Sequence, residues 1–225
     1  MPKGFYFLIG TQFASGLADN ALLILGIYFL NEQGYPGWWA PLLKFSLTLA
    51  YVVLASLVGP LSDAFPKNRL MAYMNALKIL GVFILLSGLH PVFAFALIGL
   101  GTSVYAPSKY GLVTESVPPR LLVRANAWLE VSVVLSVIFG IALGGALTGW
   151  IEAATFAELA INLSSVAAWG VQTKTLPALV VIVGVYGLAA VLNFGLKPMG
   201  QCVRLSPLTW QSVKFTTFWK SNRKL

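Results

Sequence analysis

The chain has 225 residues, of which 58% are hydrophobic and only 10% charged, with a formal net charge of +8 and a mean hydropathy of +0.81. Soluble domains run near about 45–50% apolar and about 25% charged, so this composition would aggregate in water and its natural solvent is lipid. The positive balance does not point to nucleic acid, because most Lys and Arg lie between or after long apolar runs, as in the cytoplasmic loops of membrane proteins.

A membrane span needs about 20 consecutive apolar residues, and six such runs follow one another. The first, 5–30, has Asp19 near its middle followed by Asn20. The N-terminus carries one lysine and enters this run without a small-residue cleavage site, so it reads as a span and not as a removed signal. Gly34, Pro36 and Gly37 break the chain before the second run, 41–61, where Lys44 near the outer end can snorkel. That run closes on Gly59-Pro60-Leu61-Ser62-Asp63, and Pro66-Lys67-Asn68-Arg69 makes the link. The third run, 70–89, holds Lys78 well inside it. His90, the only histidine, and Pro91 form a tight link to the fourth run, 92–113, with Lys109 near its inner end.

The link from Glu115 to Arg120 leads to the fifth run, 125–150, which places Glu130 about a turn and a half from its start. This run repeats Gly140, Gly144, Gly145 and Gly149 at a spacing that lets helix backbones approach closely, for tight packing or for sliding during transport. The sixth run is 176–196. Between them, 151–175 reads either as a short helix on the membrane surface or as a poor seventh span, with Glu152, Glu158, Asn162, Ser164 and Ser165 favouring the surface. Residues 197–225 are polar and basic, with Trp210, Phe215, Phe218 and Trp219 interleaved, as in an amphipathic connector.

The expected fold is thus an all-α membrane protein, a six-helix transmembrane bundle over 1–196 with a basic cytoplasmic connector over 197–225. Lys67, Arg69, Arg120, Arg124, Lys197 and Arg204 fall on one side of that layout and the opposite links hold almost no cations, which places both termini in the cytoplasm. Tyr35, Trp38, Trp39, Trp128 and Trp150 fall at interface depth, where such rings collect.

Ionised groups within spans are costly and mark functional sites by default. Asp19, Lys78, Lys109 and Glu130 are the candidates, and their signs sum to zero, so two pairs can form. The acids Asp19, Asp63, Glu115 and Glu130 are far apart, His90 stands alone and Cys202 is the single cysteine. No catalytic residue, metal site, cofactor or disulfide is therefore expected, and the chain reads as a carrier and not an enzyme.

Gly59, Asp63, Lys67 and Arg69 resemble the gating loop between the second and third helices of major facilitator carriers, a Gly, an Asp four residues on, then basic residues. The glycine usual after that Asp is replaced around Phe65-Pro66. Ala18-Asp19-Asn20-Ala21, Asn75-Ala76-Leu77-Lys78, Tyr105-Ala106-Pro107-Ser108-Lys109-Tyr110-Gly111 and Asn126-Ala127-Trp128-Leu129-Glu130 are, in that order, similar to the bacterial lysophospholipid transporter (LplT) family. The resemblance implies a carrier of the bacterial inner membrane. It would move lysophosphatidylethanolamine and lysophosphatidylglycerol from the outer to the inner leaflet, where an acyltransferase re-acylates them. It also implies that Asp19, Asn20, Lys78, Lys109 and Glu130 line the headgroup path among membrane lipids. Family members have twelve spans, so the expectation is that a C-terminal half is missing. The alternatives are a major facilitator carrier of another small solute or drug, or an inactive half-transporter.

Overall fold

The computed structural model describes residues 3–87, 90–152 and 175–195, with the backbone alone at 3, 55–57, 59–61, 63, 64, 152 and 195. Six long α-helices make up the described residues: α1 (Lys3–Glu32), α2 (Trp39–Ala64), α3 (Lys67–Leu86), α4 (Pro91–Ser116), α5 (Leu122–Glu152) and α6 (Leu176–Gly195). A single 3-10 turn, Pro119–Leu121, precedes α5. Five of the helices are long and apolar enough to cross a membrane, and α2 adds a shorter apolar stretch, Trp39–Leu54. The segment 153–174 and the basic tail 196–225, on which a surface helix and a connector were expected, lie outside the described residues.

Several helices outrun the apolar runs that announce them, since polar residues finish their terminal turns. α3 starts at Lys67 behind Pro66, whose fixed φ suits a helix entrance, and α4 starts on Pro91 for the same reason. The His90 ring nitrogen accepts the Val92 N–H at 3.3 Å and so caps α4. At the far end of α1, Gly34 adopts φ +74°, and the Tyr35 N–H returns to the Leu30 carbonyl at 3.0 Å. That left-handed step is open to glycine without strain.

The packing has an internal symmetry. α1 packs mainly on α5 and α6, α4 mainly on α2 and α3, and α3 packs on α6. Exchanging α1 with α4, α2 with α5 and α3 with α6 reproduces this pattern, so α1–α3 and α4–α6 are two three-helix repeats. With an odd helix number per repeat they run in opposite senses, the inverted-repeat architecture of many carriers. α2 and α5 each pack extensively on one helix only, and Phe45, Leu49, Val52 and Val53 on α2 and Val131, Val134, Ile138 and Phe139 on α5 are exposed.

Small residues permit the closest approach. A side chain at Gly140 would lie 2.7 Å from the Leu17 carbonyl oxygen, and one at Gly144 2.9 Å from that of Ala21. Gly145 and Gly149 have open space, so half of the glycine repeat makes the α1–α5 seam and half does not.

Two large apolar clusters and a small third one of Val58, Leu70 and Val104 fill the interior. Of the two large ones, one gathers Ala18 to Leu30 of α1 with Val82, Phe95, Leu147, Ile182 and Tyr186. The other, toward the end bearing Lys67, gathers Phe5, Leu8, Met71, Tyr105, Leu112 and Leu129. Between them lies a belt of buried polar side chains, including Gln12, Ser15, Asn75, Lys78, Ser103, Ser132 and Ser136.

Candidate functional site

Within this belt α1, α3 and α6 converge on one charge pair. Lys78, fully buried on α3, places its Nζ 2.8 Å from Asp19 Oδ2 on α1. The ammonium also donates to Ser15 Oγ at 3.1 Å, and Ser15 donates to Asn75 Oδ1 at 2.9 Å. The hydroxyl of Tyr186, on α6, donates to the other carboxylate oxygen of Asp19 at 2.6 Å. The rings of Tyr105 and Tyr186 stand 5.0 and 5.7 Å from the Lys78 ammonium, within cation–π range. A salt bridge in so apolar a setting survives only when its remaining valences are satisfied, and here both carboxylate oxygens and the ammonium have protein partners.

Ser15 and Asp19 lie one turn apart on one face of α1, as do Asn75 and Lys78 on α3, and Tyr186 falls on the α6 face that also buries Leu179, Ile182 and Ala189. The cluster is not saturated. The Asn75 side-chain N–H group, the Tyr105 hydroxyl and the Gln12 side-chain oxygen are buried without hydrogen-bond partners among the described residues. Unmet polar groups at this depth are where a polar ligand or ordered water gains most.

The second expected couple is arranged differently. Glu130 is exposed and accepts a 2.6 Å bond from the Tyr110 hydroxyl. Lys109 is buried, stands 4.9 Å over the Tyr110 ring, and among the described residues makes neither an ion pair nor a hydrogen bond. Tyr110 therefore stands between two opposite charges that do not meet.

Asn20 joins neither group. Its side-chain N–H group donates to the Gly16 carbonyl at 2.8 Å, and its Cβ sits in the seam beside Gly140. In the gating-loop motif, Lys67 pairs with Glu115 and lies over Gly111, tying the start of α3 to the end of α4, while Arg69 is exposed. The Gly59 and Asp63 side chains fall outside the described residues. Among the described residues no three His, Cys, Asp or Glu side chains come together as a metal site.

The sequence reading did not single out Tyr186 or Ser15, and it quoted Tyr105 only as the first residue of a motif. Their signal is faint, a neutral polar group on the face of an apolar helix that otherwise buries small and branched residues.

The sequence profile of the Major Facilitator Superfamily matches residues 8–198. The "Lysophospholipid transporter LplT" of Photorhabdus laumondii subsp. laumondii is 36% identical over 194 residues, 86% of this chain and 43% of its own length. The same-named protein of Escherichia coli is 38% identical over 148 residues, 66% of this chain and 37% of its own. That of Enterobacter is 34% identical over 175 residues, 78% of this chain and 44% of its own. The chain thus spans less than half the length of these curated relatives.

Proposed function

The chain belongs to the major facilitator superfamily of multi-pass membrane carriers, and from that premise we propose that it forms half of a lysophospholipid carrier of the bacterial inner membrane. The reading rests on three supports: the similarity to proteins named for that activity, the inverted three-helix repeats, and a buried cation, Lys109, that makes neither an ion pair nor a hydrogen bond among the described residues. The last observation carries the site assignment. Lys78 is paired with Asp19, whereas Lys109 closes no ion pair and makes no hydrogen bond among the described residues. A lysophospholipid phosphate on Lys109 supplies the missing counter-charge while its acyl chain stays in lipid, so only the headgroup needs polar cover. With both carboxylate oxygens occupied, Asp19 acts as a gate rather than as the amine's first contact. Opening the cleft requires the Asp19–Lys78–Tyr186 cluster to loosen, and headgroup contacts compensate for that loss.

The basic end, with Lys67 and Arg124, faces the cytoplasm, and both termini lie there. The exposed face of α2 and the α5 face bearing Val134 and Ile138 receive a second six-helix bundle, against which this one rocks. The carrier does no covalent chemistry, and a cytoplasmic-side acyltransferase consumes the delivered lysolipid. The test is inward movement of lysophosphatidylethanolamine added to vesicles holding this chain, alone and together with the C-terminal half of the Escherichia coli relative. Movement above that of protein-free vesicles in the paired sample, and its loss in Asp19→Asn, is expected. No movement in either sample contradicts the reading.

A further inference from the structure

On the outside of the bundle, α1 and α5 pack together at the glycine seam and again toward the basic end, where Phe5 and Leu8 share an apolar cluster with Ala125 and Leu129. There they leave two adjoining cavities of about 300 and 250 Å³ that meet at Ile9 and Trp128. The first is lined by Tyr6, Arg124 and Trp128, all exposed, and Arg124 makes no ion pair or hydrogen bond among the described residues. The second is walled by apolar side chains, among them Phe13 and Leu135. Its one polar neighbour, Ser132, donates to the Ile9 carbonyl at 3.3 Å. Neither cavity is lined by Asp19, Lys78, Lys109 or Glu130, so a molecule lying here is off the polar path.

We propose that this groove is a site for an anionic phospholipid of the surrounding leaflet, its phosphate on Arg124 and one acyl chain running from Trp128 to Leu135. Three observations carry it. A free guanidinium at one end matches a phosphate and can bind it through two N–H groups at once. Tyr6 and Trp128 flank that end, and such rings settle at headgroup depth. The length also agrees. Eleven residues from Arg124 to Leu135 rise roughly 16 Å along a helix, and one leaflet's share of a hydrocarbon core about 30 Å thick is roughly 15 Å. Charge, aromatic belt and apolar depth thus follow one another in the order of a lipid's own parts.

The test is quenching of Trp128 fluorescence by phosphatidylglycerol with brominated chains, titrated into the detergent-solubilised protein, with Trp128→Phe identifying the Trp128 component. Saturable quenching that weakens about tenfold or more in Arg124→Gln is expected, that being the loss of a charged hydrogen bond. Leu135→Phe, which narrows the apolar cavity without adding a fluorophore that is read with tryptophan, should weaken quenching with Arg124 intact, while circular dichroism reports both variants folded. Quenching that Arg124→Gln leaves unchanged overturns the proposal. Quenching by brominated lysophosphatidylglycerol alone overturns it in favour of a transported lipid, and none by either lipid shows the groove covered by protein.

Discussion

Asp19 and Lys78 meet across α1 and α3 at 2.8 Å and are fixed on both sides by Tyr186 and Ser15. Lys109 and Glu130, of the same two signs on α4 and α5, close no ion pair: Glu130 is exposed on the Tyr110 hydroxyl, and Lys109 is buried over the Tyr110 ring with no hydrogen bond among the described residues. The first couple spends its charge on holding three helices together. The second leaves its ammonium outside any ion pair or hydrogen bond among the described residues. Sign-counting along the sequence treats the two alike, and only the packing separates a couple that meets from one that does not.

Lys78→Ala should break that contrast most severely. It leaves Asp19 largely buried without a counter-charge, and truncating one partner of a buried pair costs about 3–5 kcal/mol. A loss of that size is expected in thermal unfolding of the detergent-solubilised protein. The double variant Asp19→Asn, Lys78→Met removes both charges and should recover most of that stability, because a well-packed neutral pair is about as stable as the ion pair. Recovery of fold without recovery of lipid movement would show the charges to be gating groups.

Tyr186→Phe removes the 2.6 Å bond to Asp19 and nothing else from the ring's packing. It should cost about 1–2 kcal/mol in the same unfolding measurement, in the upper range for side-chain bonds within a membrane bundle. Glu130→Gln should stay within about 0.5 kcal/mol of the parent, since an exposed carboxylate with a single hydroxyl partner contributes little. A larger effect there would mean that Lys109 and Glu130 pair after all, and the contrast between the two couples would fail.

The six-helix architecture was legible because a span must be apolar for about 20 residues, and hydropathy measures that directly. Asp19 and Lys78 were legible as cluster members for the complementary reason, that an ionised group is conspicuous where it is expensive. Their partnership was not, because 59 positions separate them and each could have answered Lys109 or Glu130 equally well by charge. Tyr186 and Ser15 escaped because a neutral hydroxyl costs little in a helix centre and hardly alters the hydropathy of its run. Asn20 misled by adjacency: one step along a helix is a turn of about 100°, which carries it off the face of Asp19 and into the α5 seam. The glycine repeat of α5 was visible as a pattern, but only Gly140 and Gly144 find a backbone to meet.

The most direct test of the account is equilibrium binding of lysophosphatidylethanolamine to the detergent-solubilised protein, measured for the parent, for Lys109→Gln and for the neutral double variant at Asp19 and Lys78. Lys109→Gln should leave unfolding nearly unchanged and weaken binding about tenfold or more, the loss of one charged contact, while the double variant binds within about threefold of the parent. Full affinity in Lys109→Gln together with loss of binding in the double variant would contradict the account, placing the phosphate on Lys78.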